Sequence, residues 1–397
     1  MKDISNTLKL IIEKKLYPNI HTLFTAADPE VIINDRKLLL FCSNDYLGLA
    51  NHPLIKEKAI EAIKKYGVST CASRLISGNT ELHNELEKLI ADFLHRDDAI
   101  VFPTGYMTNS GVIPAIINGI NIFNLIPKKT IIISEELNHA SIIDGSVRSG
   151  GKIIIFPHKD TRFLERILKK YKKLRKLVIT DAVFSMDGDI APIPVIIELC
   201  KKYNAILMVD EAHSIGVLGK TGRGILEHFG LPFDSIDILM GTLSKAIGSI
   251  GGYIAGSKDL IEFLRVTARS YIFTASPLPP PSTAAAIMAI RYIKTNPSIV
   301  DYSKKNATYL RFKLRENEFD ILETETPIIP IMLNDEQKAI KFSDFLFENG
   351  VLAPCVRWPA VPKGKARIRC VVMANHTNKQ IDKLVEICTK AREVVNK

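Results

Sequence analysis

Between residues 98 and 255 seven short apolar runs, AIVF, TIIIS, KIIIF, KLVIT, AILMVD, DILMG and YIAG, alternate with stretches of helical spacing. Each run is too short for a buried helix. The alternation of strand and helix signals makes parallel pairing the natural arrangement, since each parallel neighbour needs a long crossover between them. The pattern predicts an α/β fold, with a mostly parallel seven-stranded sheet between helices. Right-handed crossovers would bring the loops that follow the runs to one edge of the sheet, where ligands of open α/β folds bind.

Beyond the Pro-rich SPLPPPS a helical pattern runs from Ala284 to Lys294, and shorter strand and helix signals follow. These suggest a smaller α+β domain. The expected division is an N-terminal helix and extension over 1–40, a large domain over 41–285 and a C-terminal domain over 286–397. In the extension Ile4, Leu8, Ile11, Ile12 and Leu16 recur at helical spacing. Such an amphipathic helix would lie against the body or a partner subunit, or less simply on a membrane surface. With 397 residues, 46% of them hydrophobic, the chain can bury more than one core.

No run approaches the roughly 20 apolar residues of a membrane-spanning helix, and no signal-peptide pattern opens the chain. The expectation is a soluble, cytoplasmic protein without stable membrane insertion. Cys42, Cys71, Cys200, Cys355, Cys370 and Cys388 lie far apart with no C-x-x-C pair, so they read as reduced thiols and no metal site is expected. The net charge of +10 raises the question of nucleic acid. The surplus is spread out, however, and its densest run, from Lys169 to Lys176, reads as a solvated helix end. DEAH at 210–213 and GKT at 219–221 imitate motor-ATPase boxes. Ser214 occupies the place of the first P-loop glycine, and the two boxes stand in reversed order. No nucleic-acid partner is expected.

Four strand ends could carry chemistry. AILMVDEAHSIG delivers Asp210 to the end of a buried strand with His213 three residues on, and MGTLSKAIGS does the same for Thr242, Ser244 and Lys245. A lysine that forms a Schiff base needs shelter from water and neighbours that lower its pKa, and an aspartate beside it can keep a pyridine nitrogen protonated. Pyridoxal phosphate requires both. Taken singly, Asp210 reads as a helix cap and Lys245 as a surface lysine. AIVFPTGYMTN runs through Gly105 into a helix whose free N–H groups could receive a phosphate, or it is a plain tight turn. His139 in SEELNHASIIDG could stack on a flat ring, or be structural. In KARIRCVVMANHT, Arg367 and Arg369 alternate onto one face, where arginine can grip a carboxylate, with edge-strand solvation expected for one of the two.

The strings SNDYLGLANHP, SRLISGN, NHASIIDG, VFSMDGDIAP, VDEAHSIGVLG, MGTLSKAIGS and the closing ARIR with ANHT resemble, in order, the α-oxoamine synthases, a branch of fold-type I pyridoxal-phosphate enzymes, over residues 30 to 385. The resemblance implies that Lys245 holds the cofactor, Asp210 pairs with its ring nitrogen, His139 stacks on the ring and His213 reaches its phenolic oxygen. It places Gly105 and Tyr106 at the phosphate and has Ser185 and Thr242 hydrogen-bonding the cofactor. Thr274 would reach in from the second subunit of a homodimer. Arg369 with Asn44 would take the carboxylate of a small amino acid. The implied reaction condenses that amino acid with an acyl-CoA or acyl-ACP thioester and loses carbon dioxide. Within the family the likeness is strongest to the branch that joins L-alanine to a pimeloyl thioester in biotin synthesis. Alternatives are the branches that acylate serine with palmitate or glycine with acetate, an aminotransferase, and a catalytically silent paralogue. YPNIHTLF carries no Arg where the pimeloyl branch usually has one, and RWPAVP departs from its usual RPPTVP.

Overall fold

The computed structural model describes residues 2–14, 16–17, 20–119, 130–274 and 276–395, so Pro18 and Asn19 of YPNIHTLF and Ala275 after Thr274 lie outside the described residues. Strands β1 (Glu30–Ile33) and β2 (Arg36–Leu40) form a hairpin. The seven apolar runs become β3 (Asp98–Phe102), β4 (Thr130–Glu135), β5 (Lys152–Phe156), β6 (Arg175–Asp181), β7 (Ile206–Asp210), β8 (Ile238–Thr242) and β9 (Gly252–Gly256). They hydrogen-bond in the order β3-β9-β8-β7-β6-β4-β5. Pairs among β4 to β8 are parallel, and β9 alone runs against both its neighbours.

A sheet covered on both faces needs strands that are apolar throughout, and the period-2 pleat sends successive side chains to opposite cores. In β7, Leu207 and Val209 enter the core on one face and Met208 the core on the other; in β4, Ile131 and Ile133 part from Ile132 in the same way. Each such fully buried aliphatic side chain contributes about 1.5–3 kcal/mol. Lys176 in β6 departs from the solvated helix end expected of the basic run. It is buried, and its amine donates to the carbonyl of Leu174 at 2.7 Å.

Helix Pro280–Thr295 starts on prolines, whose missing N–H costs nothing in a first turn. It packs on helices Pro53–Tyr66 and Glu81–Leu94 and gives Ala286, Ile290 and Ile293 to the large core. A second core gathers helices Ser298–Glu316, Glu336–Glu348 and Asn378–Val395 on a sheet of β10 (Ile328–Met332), β12 (Cys355–Val356) and β13 (Arg367–Val371), with β13 in the middle. The remaining strand, β11 (Val351–Leu352), pairs in parallel with β2, so the N-terminal hairpin is carried by the C-terminal part of the chain. Helix Lys2–Glu13 holds Ile4, Leu8 and Ile12 exposed on the single chain. Among the described residues no helix is long and apolar enough to cross a membrane.

Candidate active site

Because β4 to β8 are parallel, their C-terminal ends share one edge, and β6 and β7 are in register so that Asp181 lies opposite Asp210. Around a cavity of about 270 Å³ at this edge stand Gly105, Tyr106, His139, Asp210, His213, Thr242 and Lys245, seven of the residues singled out in the sequence. Lys245 follows β8 and its Nζ sits 2.9 Å from Nε2 of His213. Burial lowers the Lys245 amine to about 8, opposed by the nearby Asp210 and Asp181 carboxylates.

The Asp210 carboxylate is aimed by two donors: the N–H of Ala212 at 2.9 Å on one oxygen and the Asn109 amide at 2.7 Å on the other. Burial, and then the charge of Asp210, push the Asp181 carboxyl well above the usual range, which removes one of two adjacent negative charges. One oxygen of Asp181 accepts from the His139 backbone N–H at 3.2 Å, and the other is buried without a partner, as is the Asn109 carbonyl oxygen. His139 caps helix Ala140–Arg148 and holds Ser141 Oγ at 2.7 Å through Nδ1. Burial keeps this imidazole, and more strongly that of His213, below the ordinary histidine range, so both are neutral at neutral pH.

The phosphate-like end is helix Gly105–Asn118, whose cap Thr104 accepts from the N–H of Met107 at 3.1 Å. A Cβ on Gly252 of β9 would come within 2.6 Å of Gly105 Cα, so the first turn of the helix can sit on the sheet edge only with glycine at 252. Tyr106 meets His139 edge-on at 6.3 Å and gives its hydroxyl to Asp144. Thr242 Oγ1 bonds Ser244 Oγ at 2.7 Å and the carbonyl of Gly251 at 2.8 Å.

Arg367 and Arg369 do share a face, but β13 is no edge strand, and solvation is the fate of neither. Arg367 is buried and spent on an ion pair with Asp187. Among the described residues Arg369 has neutral partners: the Ser185 carbonyl at 2.6 Å, Asn44 Oδ1 at 3.1 Å and the hydroxyl of Tyr46. Among the described residues no carboxylate pairs with it. Ser185 therefore enters through its backbone. Thr274 lies outside the cavity and gives its hydroxyl to the carbonyl of Ser270. Asn109, Asp181 and Tyr46 were not picked out from the sequence. Asp181 had a signal, as the polar residue that closes the KLVIT run. Asn109 and Tyr46 had none, since a mid-helix amide and a loop tyrosine are ordinary.

The cavity brings together a buried amine of lowered pKa, an oriented carboxylate, a neutral imidazole and a helix N-terminus, and it leaves buried polar atoms unpartnered. These residues fit pyridoxal phosphate, and with the sheet order they define the fold-type I class of enzymes that use it. The chain matches the family described as aminotransferase class I and II over residues 36–387. It is 44% identical to an 8-amino-7-oxononanoate synthase of Treponema denticola over 98% of this chain and 96% of that one, and 46% identical to one of Petrotoga mobilis over 96% and 95%. A solved serine palmitoyltransferase of Sphingomonas wittichii superposes with TM-score 0.91 at 30% identity, covering 99% of this chain and 97% of that one. The chain belongs to the aminotransferase class I and II family.

Proposed function

We propose that the protein condenses L-alanine with a pimeloyl thioester, loses carbon dioxide and releases 8-amino-7-oxononanoate. The observation that carries the reaction class is Lys245, a buried amine facing Asp210 across one cavity at the parallel edge. Support for the acyl branch comes from the 8-amino-7-oxononanoate synthases that match nearly end to end.

Pyridoxal phosphate, when bound, supplies an electron sink for a carbanion at the amino acid α-carbon. Lys245 would hold it through Nζ, Asp210 would face its ring nitrogen, His139 would stack on it, and the N–H groups of Gly105 and Tyr106 would receive its phosphate. His213 would reach toward its phenolic oxygen, and Thr242 and Ser185 would hydrogen-bond it. Arg369, which pairs with no carboxylate among the described residues and is steadied by Asn44, binds the substrate carboxylate. Once released, the Lys245 amine takes the α-proton, and a value near 8 suits a base that works close to neutral pH. A second copy of the chain completes the site with Thr274, which lies outside the cavity of its own chain.

A second reading has a specific observation behind it. The serine palmitoyltransferase fold superposes at 0.91, whereas the solved Francisella tularensis 8-amino-7-oxononanoate synthase does so at 0.75 with 28% identity over 90% of this chain and 98% of that one. One experiment separates the two. Spectral titration with alanine, serine and glycine is followed by coenzyme A release from pimeloyl, palmitoyl and acetyl thioesters. Alanine with pimeloyl-CoA is expected to turn over fastest, and preference for serine with palmitoyl-CoA would overturn the proposal.

A further inference from the structure

Tyr46 has no part in the roles given so far, yet it is wholly buried and its hydroxyl lies 2.6 Å from Nδ1 of His213. On its other side the same hydroxyl faces Asn44 Oδ1 at 3.4 Å. Polar side chains thus run without a break from Lys245 through His213, Tyr46 and Asn44 to Arg369. We infer that Tyr46 is a positioning residue that sets the tautomer of His213, and so couples the proton on Lys245 to the carboxylate-binding pair Asn44 and Arg369. The inference rests on the carboxylate role given to Arg369 above.

An ammonium has only protons to give, a neutral imidazole carries one N–H and one lone pair, and a phenol can do either. When Lys245 is protonated it donates to His213 Nε2, so the imidazole proton is on Nδ1 and points at the Tyr46 oxygen. The phenol proton must then turn to Asn44 Oδ1, which already accepts from Arg369. When Lys245 is a neutral amine it can accept from Nε2–H; Nδ1 becomes the acceptor and the Tyr46 O–H turns back to it. Asn44 Oδ1 is then left to Arg369 alone. In the first setting every contact in the row has one donor and one acceptor; in the second the 3.4 Å Tyr46–Asn44 contact carries no proton, so the change of setting is felt at Asn44. Burial keeps the phenol protonated, its pKa raised to about 12, and holds His213 neutral, so the row stores its state as proton direction rather than as charge. Substrate bound at Arg369 and the proton collected by Lys245 thereby sense each other across the pocket.

Tyr46→Phe removes the one hydroxyl that transmits the setting while keeping the ring in place. Three measurements on the cofactor-loaded enzyme are informative, with thermal melting to show that the variant is folded. In 15N-histidine spectra, the wild-type His213 is expected to hold a single neutral tautomer that changes when L-alanine binds, and in Tyr46→Phe to show a mixture that alanine does not change. Exchange of the alanine α-hydrogen in deuterium oxide, without thioester, should slow about 10-fold or more while the alanine Kd stays within about 3-fold, the signature of a misplaced proton rather than a lost contact. His213→Gln should slow it comparably, and the double variant no further, since two residues acting through one path are not additive. An unchanged tautomer pattern in Tyr46→Phe, exchange at the wild-type rate, or effects that multiply in the double variant would each overturn the inference. If alanine is the wrong amino acid the wild-type enzyme itself will not exchange its α-hydrogen, and serine takes its place in the same tests.

Discussion

Glu87, buried, and Lys245, half-buried, are both ionisable groups set against the large sheet, and they are treated in opposite ways. Glu87 receives Arg74 at 2.5 Å, Arg265 at 3.2 Å and the backbone N–H of Val101 at 3.0 Å, so its charge is used up at once. Lys245 touches a neutral imidazole, and the carboxylates that favour its charge act across the cavity. The arginines of β13 repeat the contrast two residues apart, Arg367 spent on Asp187 and Arg369 on neutral oxygens. A fold closes its structural charges and leaves its chemical ones underpaired. Such sites cost stability and gain reactivity.

Substitutions on the two sides should therefore separate activity from stability. Lys245→Ala should lower turnover by roughly 10^4-fold or more with the melting temperature preserved, since a residue that bonds the cofactor has no substitute; steady-state assay with calorimetry checks both. On the other side, Glu87→Gln should cost about 3–5 kcal/mol in urea unfolding, because it leaves Arg74 buried and uncompensated, with kcat/KM per folded molecule unchanged. Asp210→Asn removes the charge and leaves one acceptor oxygen where both the Ala212 N–H and the Asn109 amide donate, so one of these contacts is lost as well, and turnover should fall about 10^2- to 10^3-fold. A drop in kcat for Glu87→Gln as large as for Asp210→Asn would break the contrast.

The arginine pair sharpens it. Arg369→Gln should weaken the amino acid by about 1.5–3 kcal/mol, read as a raised KM, whereas Arg367→Gln should leave that KM alone and lower the melting temperature. The smallest effect concerns pH. With its folded pKa near 8, below the 10.5 of a free lysine, Lys245 binds fewer protons in the folded chain than in the unfolded one between those values. Its penalty is fully present below about 8 and fades as pH rises, so the cofactor-free chain should gain no more than roughly 3 kcal/mol from this group between pH 7 and 10. Lys245→Met should abolish that gain, measured as the difference between the two proteins in urea melts.

Much of this was legible in residues 98 to 255. Strands buried on both faces must be apolar throughout, so the inner strands announced themselves; edge strand β5, with Ile155 exposed, was found by its apolar run alone, and a polar residue closing a run, such as Asp210, marked the edge. The reversed direction of β9 was not legible, because direction depends on the connection rather than the strand, and Gly251 to Gly256 reads the same either way. Nor was the pairing of β2 with β11, which lie some 300 residues apart. In the site, Lys245, His213 and His139 stood out as polar residues beside apolar runs. Asn109 was hidden in a helix, Tyr46 in a loop, and the division of labour between Arg367 and Arg369 depends on Asp187, which only folding brings to the first of them.

The chemistry of the site turns on where the cofactor is attached. The most direct test is to reduce the pyridoxal-phosphate-loaded enzyme with borohydride, digest it and map the modified peptide by mass spectrometry. The added mass should fall on Lys245 within MGTLSKAIGS and vanish from Lys245→Ala. A modified peptide carrying any other lysine, or no retained adduct at all, would contradict it.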